Sequence, residues 1–237
     1  MKFLYIFPHP DDESFGPAAA MNRQKREGHE VHLLTLTHGE ATSQRIKLGV
    51  SKAEMADIRF REMECVKKRL QLDSMEVLDF PDNQLKELDP RKLESAIKER
   101  IVKIQPDIVV SYPVHGISGF HDHLVTHAVV KRVYLEMKDR GANYLKRLAF
   151  FTVPDDESDS FQDGVFRMIQ SKKPYIDCVF ELSDDDRAAL SDCLDCYKTY
   201  REVIEKTNVF EKIGGKVHFE LFMEDCKPPI RDLTAGI

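Results

Sequence analysis

Five short and nearly continuous apolar runs recur along the first two thirds of the chain. Runs of this kind, without polar alternation, are typical of strands that are covered on both faces, as in a parallel sheet. The runs are KFLYIF, VHLLTL, MEVLDF, DIVVSY and RLAFFTV, which begin at residues 2, 31, 75, 107 and 147. Intervening segments at about 16–27, 52–72, 90–104 and 121–140 are each long enough for a crossover helix. The pattern predicts an α/β fold, a Rossmann-like three-layer sandwich with a mostly parallel sheet.

The sequence changes character after about residue 155. A helical pattern covers about 184–206, and VFEKIGGKVHFELFM then places Gly214 and Gly215 between two apolar segments, the second of which alternates as in a β-hairpin. No internal repeat or low-complexity linker separates this part from the rest. We therefore predict one domain over 1–237, with a core of 1–155 and a packed extension of 156–237 made of a helix and a hairpin.

Charge and hydropathy indicate which kinds of molecule this protein binds. The 41 acidic residues nearly balance the 35 basic ones, so no broad basic surface favours nucleic acid or anionic lipid. The apolar run after Lys2 ends at Phe7, which is too short for a signal peptide or a membrane span. We expect a cytoplasmic protein that acts on a small molecule.

The five cysteines do not suggest a disulfide framework. Their number is odd and the chain shows no export signal, so we expect reduced and mostly buried thiols. Cys193 and Cys196 form a CxxC pair within a helical pattern, but there is no second CxxC and no preceding strand of thioredoxin type. We interpret them as two helical cysteines with no shared chemistry.

Polar clusters follow each of the first four predicted strands. They are HPDDES, THGE, PDNQL and HGISGFHDHLVTH, which begin at residues 9, 37, 81 and 115. In open α/β sheets, ligands bind where the carboxyl ends of the strands lead into loops. Four such loops at one edge predict a functional site there.

The first cluster has residue types suited to a metal ion. His9 and Asp12 lie on one tight loop and supply an imidazole and a carboxylate, which are suitable zinc ligands. Asp11 would then remain free to take a proton from the attacking water. The alternative is a helix cap, in which the acidic residues satisfy free backbone N–H groups. A cap explains the acids but neither His9 nor the second aspartate.

A catalytic zinc ion usually has three protein ligands, so one more is expected from another loop. The fourth cluster offers His121, His123 and His127 within seven residues, and Asp122 is available to orient an imidazole. His123 and His127 are four residues apart on a predicted helix and would face the same way. The residue types alone leave the choice among the three histidines open.

The motifs resemble those of the PIG-L/LmbE-like zinc-dependent deacetylases, which remove acetyl groups from N-acetylglucosaminyl compounds. The resemblance rests on HPDDE, THGE, RFRE, PDNQL and GFHDH, which begin at residues 9, 37, 59, 81 and 119. It implies that His9, Asp12 and His123 bind one Zn²⁺ or another divalent ion per subunit, and that Asp11 is the general base. It also implies hydrolysis of a linear amide, and a homo-oligomer.

The same resemblance implies roles for the helix after THGE. Arg59 would contact the substrate, and Glu62 would be its structural partner. The loop GISGFHDH is similar to that of family members that act on N-acetylglucosaminyl L-malate in bacillithiol biosynthesis, some of which also cleave bacillithiol S-conjugates. Arg59 could then pair with the malate carboxylates.

One position departs from the common family loop, GHPDH. Its first histidine stabilises the charge that develops on the amide oxygen, and Phe120 stands at that place here. The role would pass to His121, to His127 or to a backbone donor.

Two other classes fit the bare residues. A metal-dependent phosphoester hydrolase also needs clustered histidines and aspartates, often around two metal ions, but the sequence offers few further carboxylates at this edge. A Rossmann-like binding module would use HPDDES as a cap, yet the first turn lacks G-x-G-x-x-G.

Overall fold

A seven-stranded sheet forms the middle layer of the molecule. The computed structural model describes residues 1–155 and 168–237. The first five strands are parallel and confirm the five predicted runs; they are β1 (Lys2–Phe7), β2 (Glu30–Thr37), β3 (Ser74–Phe80), β4 (Ile108–Ser111) and β5 (Arg147–Thr152). Two antiparallel strands, β6 (Cys178–Glu181) and β7 (Lys216–Leu221), complete the order β3-β2-β1-β4-β5-β7-β6.

Helices cover both faces of this sheet, which confirms the three-layer prediction. One apolar core lies under α1 (Pro17–Arg26), α3 (Lys52–Leu70) and α6 (Asp184–Cys196), whereas the short α2 (Gln44–Leu48) has no buried residue. The other lies under α4 (Pro90–Ile104) and α5 (His121–Asp139). Alternate residues of β1 serve the two cores, Phe3 and Tyr5 on one side and Leu4 and Ile6 on the other. Burial on both faces is why the strand sequences show no polar alternation.

The last third of the chain extends the sheet and adds a helix to it. β7 pairs antiparallel with β5 and with β6, and α6 packs against α1 and α3. The residues 156–167, where the predicted extension begins, lie outside the described residues, so the predicted boundary of the core stays a prediction. Within residues 1–155 and 168–237, no helix is both long and apolar enough to cross a membrane.

Two predicted details of this part are wrong. The helix expected over 184–206 ends at Cys196, and a short α7 (Arg201–Thr207) follows after an irregular turn. The first arm of the expected hairpin is a helix, α8 (Val209–Ile213). Its apolar residues 209, 210 and 213 lie on one helical face and pack on the core, a spacing that suits a helix better than a strand. The alternating segment is β7, but its partners are β5 and β6.

The expectation of five reduced cysteines is also wrong. Cys65 of α3 and Cys196 at the end of α6 form a disulfide, and the other three cysteines are free. Cys193 and Cys196 therefore share no bond, which agrees with the prediction of separate roles. The pairing joins residues 131 positions apart, a contact that sequence spacing does not reveal.

A thiol count tests this pairing. Alkylation of unfolded and unreduced protein is expected to label three cysteines, Cys178, Cys193 and Cys226, and prior reduction should raise the number to five. Intact mass spectrometry reads both values. Five labels before reduction would show that Cys65 and Cys196 are thiols in the purified protein.

Candidate active site

The four polar loops predicted to converge do meet at the carboxyl edge of the sheet. His9, after β1, lies 3.3 Å from the Asp122 carboxylate, which belongs to the first turn of α5. The same carboxylate accepts a hydrogen bond of 2.8 Å from the Asn83 amide in the loop after β3. The loop after β2 joins them, because the Ala41 amide donates to Asp82 at 2.7 Å.

Three predicted ligands form a compact group at this edge. His9 Nδ1 lies 3.2 Å from His123 Nε2 and 3.6 Å from Asp12 Oδ2, and His123 Nε2 lies 3.5 Å from Asp12 Oδ1. Two nitrogen ligands at about 2.0–2.1 Å from one tetrahedral zinc ion are about 3.3 Å apart. The spacing of the three side chains therefore fits a single metal ion.

The outer hydrogen bonds of both histidines direct their free lone pairs towards the group. His123 Nδ1 donates to the Gly116 carbonyl at 2.9 Å, which leaves the Nε2 lone pair available to a metal ion. His9 Nε2 lies 3.3 Å from the Asp122 carboxylate and 3.2 Å from that of Asp82, which leaves Nδ1 free. Carboxylate and carbonyl partners of this kind fix the tautomer of metal-binding histidines. The two imidazole lone pairs and the Asp12 carboxylate therefore face one point, where a cation could bind all three.

The third predicted ligand, Asp12, is held on both oxygens. The His9 amide donates to Oδ2 at 2.8 Å, and the Tyr112 hydroxyl donates to Oδ1 at 2.7 Å. The Tyr112 ring also stacks on the His123 imidazole with centroids 4.3 Å apart. The sequence did not predict this role for Tyr112, because the residue is the last one of the fourth apolar run.

Asp11 is not a member of the metal-binding group, although it directly precedes Asp12 in the HPDD motif. Its backbone is left-handed, with φ of 87°, and its carbonyl accepts bonds from the Ser14 and Phe15 amides at 2.7 and 3.1 Å. Aspartate tolerates this conformation better than most residues. Its carboxylate accepts a bond of 2.9 Å from Arg59 Nη2. Burial raises the pKa of Asp11, and the charge of Arg59 opposes that rise.

Arg59 is buried at the base of this site. Nη2 donates to the Pro10 carbonyl and to Asp11, and the guanidinium lies 4.0 Å from the centroid of the Tyr200 ring. Among the described residues, Nε and Nη1 have no hydrogen-bond partner. Arg59, the predicted substrate contact, is thus bound through Nη2 and has two N–H groups that no described residue accepts.

Glu62 does not pair with Arg59 as the sequence suggested. Its two carboxylate oxygens accept bonds from the amide and hydroxyl of Thr199, at 2.8 and 2.7 Å. Asp11 is instead the carboxylate that Arg59 binds. Thr199 belongs to the distant C-terminal third of the chain, so its contact with Glu62 could not be predicted from the spacing of residues in the sequence.

The motifs on this edge belong to a known family. A family model described as PIG-L, GlcNAc-PI de-N-acetylase, matches residues 4–134, more than half of the chain. The chain belongs to the PIG-L family. The matched segment contains His9, Asp11, Asp12 and His123, and the predicted resemblance is confirmed.

Curated relatives cover only part of this chain. Over 150 residues it is 29% identical to the probable N-acetyl-alpha-D-glucosaminyl L-malate deacetylase 2 of Bacillus subtilis (strain 168), a match over 57% of this chain and 62% of that protein. Over 147 residues it is 29% identical to the mycothiol S-conjugate amidase of Streptomyces coelicolor, a match over 54% of this chain and 50% of that protein. The matches thus span between half and two thirds of these relatives.

A solved structure with the same fold covers almost the whole chain. The zinc-inhibited form of teicoplanin deacetylase Orf2 aligns with a TM-score of 0.71 and 14% identity, over 95% of this chain and 99% of that chain. At this identity the likeness establishes the fold, including the sheet to which the C-terminal third contributes.

The two histidines predicted to stabilise the oxyanion lie apart from the metal-binding group. His121 is exposed at the first residue of α5. His127 is buried one turn beyond His123, where Nδ1 donates to the Tyr112 carbonyl at 2.9 Å and the ring packs on Phe150. A neutral His127 therefore has no proton on Nε2 to donate.

Phe120 lies beside the metal-binding group. Its ring is 44% exposed and packs edge-on against the His123 imidazole with centroids 5.6 Å apart. An aromatic edge offers no strong hydrogen-bond donor. The residue therefore shields one side of His123 without replacing the function of the common histidine.

The metal-free group carries protons that a metal ion has to displace. Burial alone would lower the pKa of His9, but Asp122 and Asp82 outweigh it and raise the pKa to about 10. Burial raises the pKa of Asp12 to about 7, and burial together with the charge of His9 lowers the pKa of His123 to about 3. At neutral pH, His9 is thus protonated and its Nδ1 proton lies between the two imidazoles.

Metal binding is therefore expected to release protons. Because a raised pKa keeps His9 protonated at pH 7.5, binding should release about one proton, and affinity should rise about tenfold per pH unit between about pH 7 and pH 10. Calorimetry of Zn²⁺ binding in two buffers of different ionisation enthalpy measures the number. Asp122→Asn is the matched control, because losing this charge lowers the pKa of His9 and should reduce proton release. A pH-independent affinity would contradict the assignment.

Proposed function

We propose that this chain is a zinc-dependent N-deacetylase that hydrolyses the acetamide of an N-acetylglucosaminyl compound and releases acetate. The observation that carries the proposal is the pairing of one metal-binding group, His9, Asp12 and His123, with a separate carboxylate at Asp11. This division supplies one site for a cation and one group for the proton. Membership of the PIG-L family supports the same reaction class.

The residues of the chain divide the reaction between them. When bound, a zinc ion supplies Lewis acidity, which makes water easier to deprotonate and polarises the amide carbonyl. Asp11 takes one proton from the water molecule while the water oxygen bonds to the carbonyl carbon. Asp11 then gives that proton to the amide nitrogen as the C–N bond breaks, which yields acetate and a free amine. The Asp11 side chain is 13% exposed, so its carboxylate remains accessible.

The oxyanion needs a donor besides the metal ion. His127 can serve only when it is protonated, and burial lowers its pKa. His121 is exposed and can turn towards the site without leaving a buried partner. We therefore place this role on His121, with His127 as the alternative.

We propose N-acetylglucosaminyl L-malate as the substrate, because a relative bears the name of an L-malate deacetylase. A dicarboxylate needs a cationic contact, and Arg59 has two N–H groups without a described partner. A bacillithiol S-conjugate is the alternative amide substrate, since another relative is an S-conjugate amidase.

A second class, a metal-dependent phosphoester hydrolase, is favoured by one observation. His9, Asp82 and Asp122 form a further group of close ligand atoms, so this edge holds more carboxylates than the sequence suggested. However, the Asp82 and Asp122 carboxylates lie near His9 Nε2, not Nδ1. Asp122 also accepts hydrogen bonds from two backbone amides. We therefore assign them to holding His9 rather than to a second metal ion.

Product analysis with zinc-loaded protein distinguishes these functions. The panel comprises N-acetylglucosaminyl L-malate, N-acetylglucosamine without malate, an S-conjugate and a phosphomonoester. The proposal predicts acetate, with the highest kcat/KM for the malate compound. Phosphate release without acetate would overturn the proposal in favour of a phosphoester hydrolase. Preferential cleavage of the S-conjugate would show that this compound, and not the malate compound, is the substrate.

A further inference from the structure

The irregular turn between α6 and α7 reaches the active-site edge from the C-terminal third of the chain. Three of its residues contact the core at separate points. Tyr197 donates its hydroxyl to Glu13 at 2.7 Å, Thr199 binds Glu62, and Tyr200 lies on Arg59. We call residues 197–200 the clamp.

The clamp follows one face of α3. Its contacts there are with residues 59 and 62, and the disulfide of Cys65 lies one further turn along, so the three anchors are spaced by three residues. Residues three apart on a helix lie on the same face. The clamp and the disulfide that precedes it are therefore fixed to successive neighbouring positions of α3, the last of which is Arg59.

Tyr200 is the member closest to the guanidinium. Its ring centroid lies 4.0 Å from the Arg59 guanidinium carbon, against 5.3 Å for Tyr197. The Tyr200 hydroxyl donates to Thr42 at 2.7 Å, which holds the ring from the loop after β2. A cation over an aromatic face is attracted to it, and the attraction grows when both are shielded from water.

Arg59 makes all of its described hydrogen bonds through one nitrogen. Nη2 binds the Pro10 carbonyl and the Asp11 carboxylate, whereas Nε and Nη1 have no described partner. The bonds from one nitrogen leave the guanidinium free to pivot, and the Tyr200 ring blocks that movement. Removing the ring would open space beside Arg59 and loosen its hold on Asp11.

We propose that Tyr200 is a positioning residue, which acts through Arg59 to hold the Asp11 carboxylate in its working orientation. The inference rests on the proposed function, in which Asp11 transfers the proton. It gives the C-terminal third a part in a site whose other members, among the described residues, come from the first 130 residues. A small misplacement of a reacting group can cost about a hundredfold in rate.

The test compares Tyr200→Leu with Tyr200→Phe in zinc-loaded protein. The leucine variant loses the ring, and we expect kcat for acetate release to fall about 10- to 100-fold, while KM changes less than about threefold and zinc content stays unchanged. The phenylalanine variant keeps the ring and loses only the bond to Thr42, so it should retain kcat within about threefold. Tyr175→Leu is the matched control, because this tyrosine of the C-terminal third is 62% exposed.

Each outcome bears on the inference. An unchanged kcat in Tyr200→Leu overturns it, and so does a loss that lies entirely in KM, since Tyr200 would then act on substrate binding. Circular dichroism checks folding, and Tyr200→Met, which keeps apolar bulk without a ring, replaces the leucine variant if that one unfolds. No acetate release by the wild-type protein would overturn the proposed function itself, whereas an active wild type with an equally active leucine variant overturns this inference alone.

Discussion

Asp11→Asn is expected to retain a full complement of zinc and to lose about 10²- to 10⁴-fold in kcat, the range typical of general acid–base catalysis. The metal-binding group excludes Asp11, because its carboxylate faces Arg59 Nη2 at 2.9 Å. Asparagine keeps the shape and tolerates the left-handed backbone at φ of 87°. An amide cannot accept the proton, so the loss should lie in kcat rather than in KM. Zinc content and steady-state acetate release measure both parts.

Asp57→Asn provides the matched control for this change. Asp57 is exposed on α3, the helix that carries Arg59, and the same chemical replacement there should leave kcat unaltered. Retained turnover in Asp11→Asn would remove Asp11 from the proton transfer. Loss of zinc together with turnover would instead place Asp11 among the ligands.

Asp12→Ala and His123→Ala should each lower zinc affinity by more than about 100-fold, because removing even an outer partner of a metal ligand costs about 10- to 100-fold. Each replacement takes one of the three donors from a group whose atoms lie 3.2–3.6 Å apart. Activity should fall in parallel and recover in part at high zinc concentration. Competition with a zinc-binding dye measures the affinities.

His121→Ala serves as the control for metal content. This histidine belongs to the same HDH segment as His123 but is exposed, so its removal should leave zinc affinity within about threefold of the wild type. Unchanged zinc affinity in both Asp12→Ala and His123→Ala would place the metal ion elsewhere, and the group of His9, Asp82 and Asp122 would then be the next candidate.

The sequence predicted those parts of the structure that depend on local patterns. The five runs became β1 to β5 because each is buried on both faces, and the four intervening segments became helices. Loops that follow parallel strands emerge at the same edge, so the convergence of His9, Asp12 and His123 could be expected from topology alone. The orienting role of Asp122 was foreseen too, although its partner is His9, on a different loop.

Contacts between distant parts of the chain could not be predicted in the same way. Glu62 binds Thr199, and Cys65 bonds to Cys196, across separations of 137 and 131 residues. No local pattern encodes either pairing. The segment 209–213 was misassigned for a different reason: the two glycines and the alternating segment that follow it suggested a hairpin, although its own apolar spacing suits a helix.

The roles of Tyr112 and Tyr200 were missed because aromatic residues near strand ends and helix ends usually belong to a core. What identifies them here is the position of their polar or π surface. The Tyr112 hydroxyl binds Asp12, a predicted ligand, and the Tyr200 ring covers the guanidinium that binds Asp11. Both observations require the tertiary structure.

Titration of metal-free protein with Zn²⁺, with acetate release from N-acetylglucosaminyl L-malate as the readout, tests the central claim most directly. A single zinc ion held by His9, Asp12 and His123 predicts that activity is absent without metal and rises linearly to a plateau at about one equivalent of zinc. Acetate release that persists after complete removal of metal, or no acetate at any zinc concentration, would contradict the account.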